Sequence, residues 1–157
     1  MSGAFAFDPT ARGAALSFCE AAIAAFLPGV PEITAEDLFV RLQGDPPILL
    51  DVRMPEEHAM GRIPGARLVP PGTPVPEVLT GAGIAEATPI VLSCAVGLRS
   101  GRMAKALLDH GLSPARVLNL RGGIFRWARL GLPMVDDRGP THAVHPFDAR
   151  WGQLLSR

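Results

Sequence analysis

The stretch Pro89-Ile90-Val91-Leu92-Ser93-Cys94-Ala95-Val96-Gly97-Leu98-Arg99-Ser100 decides how this chain folds. Its apolar half, with β-branched Ile90 and Val91, reads as a buried strand, and the Gly-containing half reads as a short loop. From Ser100 to His110 the period changes. Met103, Ala104, Leu107 and Leu108 form the apolar stripe of a helix that Gly111 ends. Cys94 therefore stands at the carboxyl end of a strand and under a helix N-terminus. Free backbone N–H groups and the helix dipole there favour negative charge, so they stabilise a thiolate and an anion beside it.

The segments on either side repeat the alternation. Thr34 is positioned to cap a short helix running to Leu42, with Asp37 three residues on. Ile48-Leu49-Leu50-Asp51-Val52 is a buried strand, and Pro55-Glu56-Glu57 starts a helical turn with Pro first and acids at its positive end. Ala66 to Val69 is a strand stopped by Pro70-Pro71-Gly72, Pro76 to Gly81 a short helix, and Arg116 to Leu120 a further strand. Gly122-Gly123 opens a last helix whose Ile124, Trp127 and Leu130 face inward. This pattern predicts an α/β fold: a central parallel sheet flanked by helices on both faces, with function at the carboxyl ends of the strands.

Ahead of it, Leu16, Cys19, Ile23, Phe26 and Leu27 recur along one face of an added N-terminal helix. Glu20 in its middle, together with Pro28 and Pro31, argues against a secretory signal or a membrane span, and a cytoplasmic location is expected. With 157 residues, one domain with short extensions is expected. A formal net charge of +0 without a basic tract speaks against nucleic acid as a partner. Two cysteines make neither a disulfide framework nor a zinc ligand set, and a reducing compartment suits a free Cys94.

Four motifs in order resemble a single-domain rhodanese. They are Asp51-Val52-Arg53 with Pro55-Glu56-Glu57-His58, then Gly61-Arg62-Ile63-Pro64-Gly65-Ala66, then the Cys94 loop, then Gly122-Gly123-Ile124 with Trp127 and Gly131-Leu132-Pro133. The resemblance divides the chain into a helical extension over 1–30, a rhodanese-like domain over 31–136 and a C-terminal tail over 137–157. It implies sulfurtransferase chemistry through a cysteine persulfide. Two positions depart from the family pattern, which usually has His where Arg62 stands and an aromatic where His58 stands.

The expected cycle begins when the Cys94 thiolate takes the outer sulfur of a small sulfur-containing anion such as thiosulfate. It ends when a thiol, free or on a protein, or cyanide removes that sulfur. Backbone N–H groups from Ala95, Val96, Gly97, Leu98, Arg99 and Ser100 are expected to form the anion cradle, with Gly97 allowing positive φ. Arg99 offers a planar fork for an oxyanion, and Ser100 either caps the helix or donates to the sulfur. Asp51 is read as holding the loop or Arg53. Arg53 and Arg67 are read as solvated charges, with a role at the entrance as the other option. No metal or organic cofactor is required. His142 and His145 read as surface or docking residues, Cys19 and Trp127 as core, and the tail from Asp148 as a short helix docking on the domain or on a second copy in a homodimer.

Two other chemistries use similar parts. A cysteine phosphatase or arsenate reductase spaces Cys and Arg by five residues; here four lie between Cys94 and Arg99. A persulfide carrier or a non-catalytic interaction module would keep the same loop without turnover of small donors.

Overall fold

The computed structural model describes residues 9–146 apart from Glu86, with side chains from Gly13 onward. The elements run α1 (Pro9–Phe26), β1 (Glu32–Ile33), α2 (Ala35–Leu42), β2 (Ile48–Asp51), α3 (Pro55–Met60), β3 (Arg67–Leu68) and α4 (Val75–Gly81). They continue as β4 (Ile90–Ser93), α5 (Leu98–Asp109), β5 (Val117–Leu120), α6 (Gly123–Arg129), β6 (Val135–Asp136) and β7 (Gly139–Pro140). The expected tail helix from Asp148 lies outside the described residues.

Five strands form one parallel sheet in the order β1-β5-β4-β2-β3. Strand alternation divides its apolar side chains between two cores. Leu49, Val91 and Leu120 face one side, where Leu16 of α1, Leu38 of α2 and Phe125 and Trp127 of α6 pack on them. Leu50, Ile90, Leu92 and Val117 face the other, against Val78 of α4 and Met103, Ala104 and Leu107 of α5. The α/β fold read from the sequence is therefore present, with helices on both faces.

The order of the strands also locates the site. From β2 the chain proceeds outward to β3, whereas from β4 it proceeds the opposite way to β5. The connections after two adjacent strands thus diverge, which opens a crevice at the carboxyl ends of β2 and β4, the switch point where open parallel sheets bind ligands. Cys94 follows β4 at that crevice, and Asp51 to Arg53 end β2 there.

Several expectations need correction. The two-residue strand β1 and the antiparallel β6–β7 hairpin carry too few residues to show a period, and neither is anticipated by the sequence. Leu130 is 42% exposed because it is the C-cap of α6 rather than a core position. Phe26 is 62% exposed at the end of α1, where its ring lies 5.8 Å from the Arg102 guanidinium. By contrast, Thr34 caps α2 through the Asp37 N–H at 3.2 Å, and Trp127 is buried with its indole N–H on the Pro133 carbonyl at 2.9 Å.

The N-terminal helix is built into the domain. Leu16 is fully buried, and Glu20, the acid in the middle of an apolar helix, is nearly so. Its carboxylate accepts from Arg126 Nε at 2.7 Å and lies 3.7 Å from Arg121 Nε. A side chain at Gly122 would collide with that carboxylate, which accounts for glycine at the start of α6. Replacing Glu20 with Ala removes the shared partner of two cations on the domain. The expected loss is about 2–3 kcal/mol, below the full cost of a broken buried pair because Arg126 is partly exposed. Urea unfolding followed by circular dichroism measures it.

Candidate active site

Cys94 is 1% exposed, immediately beyond the central strand β4. The carbonyls of the turn after β4 are drawn away from the sulfur. That of Cys94 accepts from the Ile124 N–H at 2.9 Å and that of Ala95 from the Phe125 N–H at 3.0 Å. These donors are amides of the first turn of α6, which would otherwise lack partners. Gly123 makes the approach possible, since a Cβ there would overlap both carbonyl oxygens.

At the far end of the loop Gly97 adopts φ 113°, a conformation that favours glycine, and serves as N-cap of α5. This turn presents the Gly97 N–H to Cys94 Sγ at 3.2 Å. The Gly97 carbonyl points outward, accepting from Asn119 Nδ2 at 2.9 Å and from the Gly101 N–H at 2.9 Å. Ser100 does not cap the helix. Its hydroxyl lies 3.3 Å from Cys94 Sγ and 2.7 Å from Asn119 Oδ1. Of the expected cradle, Gly97 supplies the backbone donor on sulfur and Ser100 a hydroxyl, while Ala95, Val96 and Leu98 line the pocket above.

Arg99 is held from across the crevice. Its Nη1 and Nη2 donate to the two carboxylate oxygens of Glu57 at 2.8 and 2.9 Å, a bidentate pair. Glu57 is buried in α3, where it also accepts from the Met54 N–H at 2.8 Å. Burial opposes the charge of Arg99, but the Glu57 hydrogen bonds and the pull of the Cys94 sulfur and of Glu57 raise its pKa above the usual value. Burial likewise opposes the charge on Glu57. The bonds from Arg99 and Met54, with the charges of Arg99 and Arg53, hold its carboxyl below the ordinary range.

The reading of Arg53 as a surface or entrance charge is overturned: it is 0% exposed. Its Nε and Nη2 clasp the two Asp51 oxygens at 2.8 Å each, and Nη2 also reaches the Gly61 carbonyl at 2.8 Å. His58 Nδ1 lies 2.8 Å from Asp51 Oδ2. Asp51 thus holds Arg53, as expected, and the unusual His58 has a partner. The pair fixes the end of β2 and the turn after α3. Arg62, the other unusual residue, donates to Asp137 at 2.7 Å and ties that turn to the β6–β7 hairpin. Arg67 is exposed, donates to the Ala82 carbonyl and does not line the Cys94 pocket. His142 is exposed and His145 half-buried, and the described residues contain no group of three or more His, Cys, Asp and Glu positioned for a metal.

The pocket over Cys94 has a volume of about 360 Å³. The Cys94 loop and α5 form its floor and one side, while α1 forms the opposite wall with Phe18, Cys19, Ala22 and Ile23. Cys19 packs against the core, as expected of it, and also faces this pocket. Burial, with a smaller contribution from Glu20, pushes its pKa up, so it stays a protonated thiol beside the buried one. Sequence reasoning missed Glu57, Asn119 and Glu20 as site or anchor residues. Two of them left a signal: Asn119 is the one polar residue in the strand Val117–Leu120, and Glu20 the one acid in α1.

The model of the Rhodanese-like domain family matches residues 34–130. The chain belongs to this family. A sulfurtransferase of Allochromatium vinosum is 40% identical over 111 residues, which are 70% of this chain and 99% of that protein. Among solved structures, a rhodanese-related protein from Thermoplasma volcanium is 27% identical with a TM-score of 0.56, covering 67% of this chain and 97% of its own. A thiosulfate sulfurtransferase from Pseudomonas aeruginosa is 25% identical with a TM-score of 0.63, covering 92% of this chain but 26% of that longer one. The family match begins after α1, so the wall that α1 contributes to the pocket lies outside the matched rhodanese-like span. No helix among the described residues is long and apolar enough to cross a membrane.

Two measurements check this geometry. Asp51 is lowered because the hydrogen bonds and charges of Arg53 and His58 outweigh burial, which by itself raises it; Glu57 is lowered as well. A depressed carboxylate contributes stability above its unfolded pKa and loses it as pH falls through the folded value. The urea midpoint should hold between neutral pH and about 5, then fall steeply below about 4, the ordinary carboxylate value. A midpoint unchanged down to pH 3 would contradict the two ion pairs. Replacing Ser100 with Ala leaves buried Asn119 Oδ1 without its donor, and a loss of about 1–3 kcal/mol in unfolding free energy is expected.

Proposed function

We propose that this chain is a sulfurtransferase that moves sulfane sulfur from a donor such as thiosulfate to a thiol or to cyanide through a persulfide on Cys94. The observation that carries this reading is the Cys94 sulfur held by the Gly97 N–H and the Ser100 hydroxyl at 3.2 and 3.3 Å, with Arg99 interacting beside it. The likeness to a protein named sulfurtransferase, over nearly all of that protein's length, agrees with it.

In the first half-reaction the thiolate attacks the outer sulfur of thiosulfate. A bond forms between Cys94 Sγ and that sulfur as its bond to the sulfonate sulfur breaks, and sulfite leaves with the electron pair. In the second, an acceptor thiolate or cyanide attacks the terminal sulfur of the persulfide, and Cys94 departs as thiolate. Resting and loaded forms are both anions, so one set of donors stabilises each. The acceptor thiol is carried by a small molecule or by a protein.

Phosphoryl chemistry fits less well. The loop is one residue shorter than a phosphatase motif, and the guanidinium that would clasp a phosphate is engaged by the Glu57 carboxylate.

The test is loading followed by turnover. Thiosulfate treatment should add about 32 Da to the Cys94 peptide, the mass of one sulfur on the nucleophile, and cyanide should remove it. A Cys94→Ala variant should lose thiocyanate formation by on the order of 10³-fold or more. Full thiocyanate formation by that variant would sink the assignment. Loading without turnover of any small acceptor would favour a carrier instead.

A further inference from the structure

We propose that α1 makes the Cys94 pocket selective for sulfane donors with an apolar organic body, the organic thiosulfonate class, over inorganic thiosulfate. This rests on the sulfurtransferase reading and refines its substrate. Three observations converge on it.

The first is size. A volume of about 360 Å³ lies within the roughly 300–1,000 Å³ of sites that hold small organic molecules, far more room than a single inorganic anion occupies. The second is the lining. Phe18, Ala22 and Ile23 from α1 face Val96 and Leu98 from the loop and α5, so above the sulfur the walls are apolar. Phe18 is 75% exposed, an aromatic surface that an apolar substituent would cover with release of water. The third is charge. Arg99 divides its charge between the Glu57 carboxylate, to which both outer nitrogens donate, and the Cys94 sulfur, so a compact dianion arriving at Cys94 meets a cation already partly balanced by a carboxylate. The other cation of the lining, Arg102, is held over the Phe26 ring at the α1 side. A donor with one negative charge at its sulfur end and an apolar body along α1 matches this distribution; a dianion with no body does not.

The reaction balances without a further reagent. The Cys94 thiolate attacks the terminal sulfur of R–SO₂–S⁻, forming the persulfide anion. The bond between that sulfur and the sulfonyl sulfur breaks, and R–SO₂⁻ leaves with the electron pair. Two negative charges enter and two remain.

The experiment measures kcat/KM of the full chain for benzenethiosulfonate and for thiosulfate, with cyanide as acceptor. The wild type is compared with Phe18→Ala, with Ala22→Trp, which fills the pocket, and with Val40→Ala, on exposed α2 away from it. Comparing the ratio of the two donors between variants cancels their intrinsic reactivities. Phe18 and Ala22 are both exposed, so neither substitution disturbs the core, and circular dichroism confirms folding. The ratio should fall on the order of tenfold in Phe18→Ala and in Ala22→Trp, the scale of one lost apolar contact, and stay within about twofold in Val40→Ala. Ratios within about twofold of wild type in both pocket variants would overturn the inference. If thiosulfate still loads Cys94 in that case, sulfur transfer stands and only the role of α1 falls. If neither donor loads Cys94, the sulfurtransferase reading itself falls.

Discussion

The site depends on two hydrogen bonds between backbones, from the Ile124 and Phe125 amides to the Cys94 and Ala95 carbonyls. A four-residue turn has few ways to direct all its donors inward, because each peptide places its carbonyl opposite its N–H. The start of α6 resolves this by taking the carbonyls from outside. The free amides of one helix thus orient the turn that precedes another. The absence of a side chain at Gly123 is the steric condition for that contact. Asn119 performs the same service for the Gly97 carbonyl from β5. Substitutions far from the thiol in sequence therefore reach it through the backbone.

A second layer is electrostatic and spans the crevice between β2 and β4. Arg53 with Asp51, and Arg99 with Glu57, are two carboxylate–guanidinium pairs, the first at the end of β2 and the second joining α3 to α5. Every carboxylate has further donors, His58 on Asp51 and the Met54 N–H on Glu57, which is what makes burial of such groups tolerable. Together they connect α3 to the sheet and to α5.

Much of this was legible in the sequence, and the limits have physical causes. Helix α5 carries enough residues to show a period, and β2 and β4 stand out as largely apolar runs, so these and the capping of α2 follow from the chain directly. The two-residue strands β1, β6 and β7 do not, because they exist only through their neighbours; β3, equally short, is marked by Pro70-Pro71-Gly72 after it. Cys94 and its loop are local in sequence and could be read. Glu57 and Arg99 are 42 residues apart, and their pairing is a property of strand order. Arg53 illustrates the opposite error: an arginine after a strand is ordinarily solvated, and only the packing of Asp51 and Gly61 around it makes it interior. Polar residues at odds with their surroundings, Glu20 in α1 and Asn119 in β5, were the clearest signals left unused.

Ser100 has one hydroxyl hydrogen and two neighbours able to accept it, Asn119 Oδ1 and Cys94 Sγ. While the sulfur carries its own proton, that proton can point at the Ser100 oxygen and the hydroxyl can serve Asn119. Once the sulfur is negative, the hydroxyl hydrogen is drawn to it, and Asn119 Oδ1, which can only accept, loses its donor. Ionisation of the thiol is thus coupled to β5 through one shared hydrogen: the bond that the sulfur gains is the one that the Asn119 carbonyl gives up.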